Sequence, residues 1–146
     1  MASTLTVQEL KRALVSAGFE VYRTQGAEVH LAERPRENLI MDAGVSVVID
    51  GLLRVRMVTR AQKNDFPGED GDRLTDRARR QGDAALARGF AERSVRERTL
   101  YDPGDGTKVL DTWLEVFFEK DVAALPEVLD EVRFAMGVEK TAPRGA

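Results

Sequence analysis

The apolar positions change their period several times along the chain, and each change marks an element. In "LTVQELKRALVSAG", Val7, Leu10, Leu14 and Ala17 recur at helical spacing. Thr6 and Glu9 have the spacing of a capping box, Leu5 and Leu10 hold the staple positions, and Gly18 closes the helix. "FEVYRT" and "AEVHLAE" then alternate about Gln25-Gly26, the pattern of a tight hairpin. "RPREN", with Pro35, is a polar break, and "LIM" is a short strand ended by "DAG". "VSVVI" and "LLRVRMVTR" flank Asp50-Gly51, which predicts a hairpin turn or a bulge within one bent strand.

The second half follows the same logic. "AQKNDFPGEDGD" is a loop, after which Asp72 caps a helix running to about Arg88, with Gly89 past its end. Its inner face is Leu74, Ala78, Gly82 and Ala85, small residues that predict a close approach to whatever they cover. "FAERSVRERTLY" is strand-like but polar, and "DPGDG" is a turn. "TKVLDTWLEVFFEK" is the most apolar strand, with Leu110, Leu114, Val116 and Phe118 on one face and Val109, Trp113 and Phe117 on the other. "DVAALPEVLDEVRFAMG" reads as a last helix with Pro126 at its start and Gly137 at its end. The class is therefore α+β: helix, antiparallel strands, helix, β-hairpin, helix, with the helices packed on an antiparallel sheet. A single domain is expected over residues 1–138, followed by a flexible tail, 139–146.

This order of elements, over about residues 5 to 137, resembles the small fold of type III secretion chaperones and of the YbjN-type bacterial proteins. No short motif carries the resemblance, and the hairpin about Asp50-Gly51 is extra to it. It implies a homodimer that binds a partner polypeptide and has no catalytic site.

Composition narrows the chemistry. A chain of 146 residues is long enough to bury a core without metal or disulfide. It contains no cysteine, which excludes disulfides, thiolate metal sites and thiol catalysis. The formal net charge of −3 disfavours a dedicated nucleic-acid coat. "MASTLTVQELKR" lacks the apolar run of a signal peptide, and no segment approaches the roughly 20 apolar residues that a membrane span needs, so a cytoplasmic protein is expected.

Few residues offer a site. His30 is the single histidine, with Glu28 on the same strand face and Glu20 across the hairpin, a thin set for metal or general-base work. The acids Asp65, Glu69, Asp70 and Asp72 miss the spacing of a calcium loop, and "DPGDG" leads into a strand where a phosphate loop needs a helix. Arg54, Arg56 and Arg60 share one face of a strand, and Arg93, Arg96 and Arg98 lie on another. The first three are a solvated face, protection for an edge strand, a surface for a protein partner, or an anion or nucleic-acid site. Trp113 and Phe117, with Val109, are either core under helices on both sides or a patch at a partner interface. The functional expectation is a non-enzymatic, cytoplasmic protein-binding or chaperone-like module, homodimeric, using an exposed sheet face at Trp113, Phe117 and Val109. It needs no cofactor or metal and no membrane. The alternative is an anion or nucleic-acid-binding accessory domain using Arg54, Arg56 and Arg60.

Overall fold

Helix α1, Val7–Ser16, starts where the capping pattern places it. The Glu9 amide donates to the Thr6 hydroxyl at 3.1 Å, and the Thr6 amide donates back to the Glu9 carboxylate at 3.2 Å. Leu10 and Leu14 are fully buried on its inner stripe. Strands β1, Glu20–Gln25, and β2, Glu28–Arg36, form the first hairpin. The computed structural model that shows this describes residues 5–144; residues 1–4, the start of the N-terminal stretch, and 145–146, the end of the expected tail, lie outside the described residues.

Strand β3, Leu39–Ile49, joins "LIM" and "VSVVI" into one element. "RPREN" is not a break but the tip of the β2–β3 hairpin, since Arg36 pairs with Leu39. Pro35 is tolerated there because β1 pairs with β2 only as far as Ala32, so no ladder on that side needs its missing amide. At "DAG" the strand kinks without ending. The Gly44 amide donates to the Asp42 carboxylate at 2.9 Å, and Gly44 takes a φ of +74° that a side chain would resist. Ile49 pairs with Leu53 across Asp50, Gly51 and Leu52, so Asp50-Gly51 is a hairpin turn and not a bulge.

Strand β4, Leu53–Gln62, passes through a short 3-10 turn, Lys63–Asp65, into α2, Gly71–Gln81. The cap of α2 is Asp70, whose carboxylate accepts from the Arg73 amide at 2.9 Å, two residues earlier than the sequence suggests. The single helix expected to run to Arg88 is broken at Gly82, and α3 is the short segment Asp83–Ala87. Strands β5, Ala91–Asp102, and β6, Asp105–Val122, form a long hairpin, and α4, Leu125–Gly137, closes the order. The class is α+β, with four α-helices and one six-stranded antiparallel sheet, in the order β1-β2-β3-β4-β6-β5, among the described residues. That order places β4 between two strands, so its arginines do not protect a sheet edge.

The chain divides into two compact units, Met1–Met57 with Glu119–Gly137, and Val58–Phe118 with Val138–Ala146. The first packs α1 and α4 on its strands around Leu10, Leu14, Leu31, Val45, Val47, Val55, Val128 and Val132, all at most 1% exposed. Burying aliphatic side chains of this size contributes about 1.5–3 kcal/mol each before entropy is counted. The second packs α2 and α3 on Thr59, Ala61, Val116 and Phe118. Gly82 lies at the helix break, and a methyl group on it would overlap the Phe118 ring, so the small residues do allow a close approach. Where a flexible tail is expected, residues 139–144 include a short parallel bridge between Thr141 and Arg60. The Arg60 amide donates to the Lys140 carbonyl at 2.8 Å, the Ala142 amide donates to the Arg60 carbonyl at 2.9 Å, and Ala142 is buried.

Candidate functional site

Alternation along β4 sends Val55, Met57, Thr59 and Ala61 into the core and Arg54, Arg56 and Arg60 to the opposite face. In the first unit that face is ionic. Arg54 meets Asp50 at 3.1 Å and Asp121 at 3.3 Å. Arg56 meets Glu28 and Glu119, each at 3.0 Å. Glu28 also accepts the Ser46 hydroxyl. His30 stands 3.7 Å from Glu28 and 3.7 Å from Asp42, too far for a hydrogen bond to either. Glu20, the partner expected across the hairpin, instead takes Arg34 at 2.8 Å.

This arrangement limits what the first unit does chemically. Ser46 donates to a carboxylate and not to His30, so no hydroxyl–imidazole pair is assembled as a nucleophile would require. Among the described residues, no group of three or more histidine or acidic side chains is placed to hold a metal ion. An anion reaching Arg54 and Arg56 would have to displace carboxylates that already occupy both guanidinium groups.

The second unit is different. Trp113 and Phe117 project from β6 on the side away from Leu114, Val116 and Phe118, and both are half-buried. Cations cover them: the Arg60 guanidinium lies 4.5 Å from the Trp113 ring centre, Arg98 lies 5.3 Å from the same ring, and Arg96 lies 5.2 Å from Phe117. Each such stack contributes about 0.5–2 kcal/mol, according to how far it is desolvated. The indole N–H donates to Asp111 at 3.0 Å. Between the rings, the Glu115 side chain is 2% exposed and accepts from Arg96 at 2.7 Å, with Arg98 at 4.0 Å. A carboxylate this deep needs such a partner, because removing the cation leaves a buried charge unpaired. Val109 lies further along β6, where the hairpin leaves the core, and is 53% exposed.

The structure thus brings Trp113 and Phe117 together with Arg60, Arg96 and Arg98, and leaves Val109 apart in solvent. Alternation in "RVRMVTR" gives the direction of the arginines, but nothing local gives their partners. Glu28, Glu119 and Asp121 come from remote stretches, and Glu115 hides within an apolar run where a charge is hard to read as a site. Against models of protein families, curated proteins and solved structures, the chain matches none. No helix of the described residues is long and apolar enough to cross a membrane.

Proposed function

We propose that this protein is a non-enzymatic, chaperone-like module of the bacterial cytoplasm that works as a homodimer and binds a partner polypeptide through the Trp113–Phe117 face, with Val109 at its margin. The observation that carries the reading is the covering of the two rings. Guanidinium groups on long side chains lie over them. Arg60 and Arg98 swing aside while Arg96 stays on the buried Glu115; the two freed guanidinium groups pair with acidic groups of an incoming segment, and the uncovered indole is aromatic area of the kind enriched where proteins meet. The favoured client is an unfolded segment mixing acidic and apolar residues. The order of elements, which resembles the type III secretion chaperones and YbjN-type proteins, supports the same reading. Anion or nucleic-acid binding at Arg54, Arg56 and Arg60 is the weaker alternative, because the first two are held by carboxylates of their own unit.

The test uses the single tryptophan as reporter. Reduced carboxymethylated α-lactalbumin, unfolded and acidic, is titrated against the protein. Binding with a shift of Trp113 emission is expected. Calorimetry on a Trp113→Ala, Phe117→Ala double variant should lose that binding at unchanged far-UV circular dichroism, and Val109→Ser should weaken it. No binding by the natural protein, or equal binding by the folded double variant, overturns the proposal.

A further inference from the structure

Strand β5 ends the sheet, so one of its edges has no neighbouring strand among the described residues. It is twelve residues long, and Glu92 through Arg98 are all exposed. A long edge offering unpaired backbone groups usually carries charge of one sign to repel other strands. Here both signs occur, as Glu92, Arg93, Ser94, Val95, Arg96, Glu97, Arg98.

That order is complementary to itself when reversed. If a second copy lies antiparallel with a two-fold axis through Val95, Glu92, which also accepts from Arg79 of its own chain at 3.0 Å, faces Arg98, while Arg93 faces Glu97, and symmetry doubles each pair. Ser94 faces Arg96, and the half-exposed Val95 meets its own copy on the axis. Neighbouring registers lose this match. A shift by one residue in one direction sets Arg93 against Arg96 and Glu92 against Glu97; in the other it sets Arg93 against Arg98. Like charges directly opposite each other destabilise a strand pair, so the pattern opposes both one-residue slips, and the axis through Val95 gives more opposite-charge pairs than the axis through Ser94, where only Glu92 and Arg96 meet. The backbone supplies the remaining attraction through ladder hydrogen bonds across the edge.

We infer that β5 is the dimer edge of this protein, pairing antiparallel with β5 of a second copy about Val95. The inference rests on the homodimeric part of the function proposed above and gives that part a location. Arg98 belongs both to this edge and to the cover of Trp113, so the edge is tested at Arg93, Val95 and Glu97.

Sedimentation velocity over a concentration series tests it. The natural protein is expected to dimerise, more weakly as salt rises, because the aligned pairs are screened. Glu97→Arg replaces two attractive pairs by two repulsive ones and should raise the dissociation constant about tenfold or more. Arg93→Glu should do the same. An equimolar mixture of the two variants recreates opposite charges at both positions and should form a heterodimer, visible by native mass spectrometry. Val95→Lys, which sets two cations on the axis, should also weaken the dimer, and circular dichroism checks the fold of each variant. A dimer unmoved by Glu97→Arg and Val95→Lys overturns the β5 edge while leaving a homodimer in place. A natural protein that stays monomeric at every concentration overturns the edge and the homodimer together. Failure of the mixture to associate overturns the register.

Discussion

At the scale of single residues, the clearest electrostatic statement comes from the loop before α2. Arg77 donates to both oxygens of Glu69, at 2.7 Å from Nε and 2.7 Å from Nη2, and also stacks on Phe66 at 4.0 Å. The bidentate bond holds the Glu69 carboxyl below its ordinary 4.5, outweighing a smaller opposite push from desolvation, and it raises the Arg77 guanidinium. The sign follows from linkage. A carboxyl whose folded value is depressed contributes stability above its unfolded value and loses it as pH falls through the folded one. Replacing Glu69 by Gln keeps the shape and removes the charge. The urea midpoint of Glu69→Gln should therefore lie below that of the natural protein at neutral pH. The gap should close steadily as pH falls below about 4.5. A gap independent of pH would assign the loss to shape and not to charge.

At the scale of elements, Gly82 separates two helices that the periodicity joins. Leu74, Ala78, Gly82 and Ala85 keep helical spacing across the break, so the pattern shows one inner stripe and hides the hinge. What requires glycine at the break is Phe118 of β6, which fills the space where a Cβ would stand. Gly82→Ala is expected to lower stability by about 1–3 kcal/mol through overpacking against a ring with nowhere to go. Gly71→Ala, whose methyl group meets open space, should stay within about 0.5 kcal/mol of the natural protein. Chemical denaturation of the two variants side by side checks the contrast. The same difference between local and remote information sets how much was legible beforehand. The capping box of α1 and the alternation of β4 depend on neighbours in sequence, and the sequence states them; at Asp50-Gly51 it leaves a hairpin turn and a bulge open, and the pairing of Ile49 with Leu53 decides for the turn. Merging "LIM" with "VSVVI", docking Thr141 on Arg60 and roofing Trp113 with Arg60 and Arg98 depend on residues supplied by other elements, which periodicity does not see.

At the scale of the whole chain, two strands bear on whether its two compact units unfold together. Leu53–Met57 of β4 belongs to one unit and Val58–Gln62 to the other, while β6 changes unit between Phe118 and Glu119. Loss of the second unit frees the backbone of Val58–Gln62 and Asp105–Phe118, and the continuing strands then begin at frayed ends. Met57, at such an end, pairs with Val45, so fraying there should pass directly into the β3–β4 ladder. One cooperative transition is therefore expected, not two. Gly82→Ala supplies the probe, because its damage is confined to α2, α3 and Phe118. In hydrogen exchange under conditions where global opening dominates, this variant should speed exchange in α2 and in Val45–Ile49 by the same factor, within about twofold. The Trp113 emission and far-UV circular dichroism of the natural protein should give coincident urea curves. Acceleration restricted to residues 58–118 would mean that the units open separately. The continuous strands would then be connections only, and the stability of the Trp113 face would be set by the second unit alone.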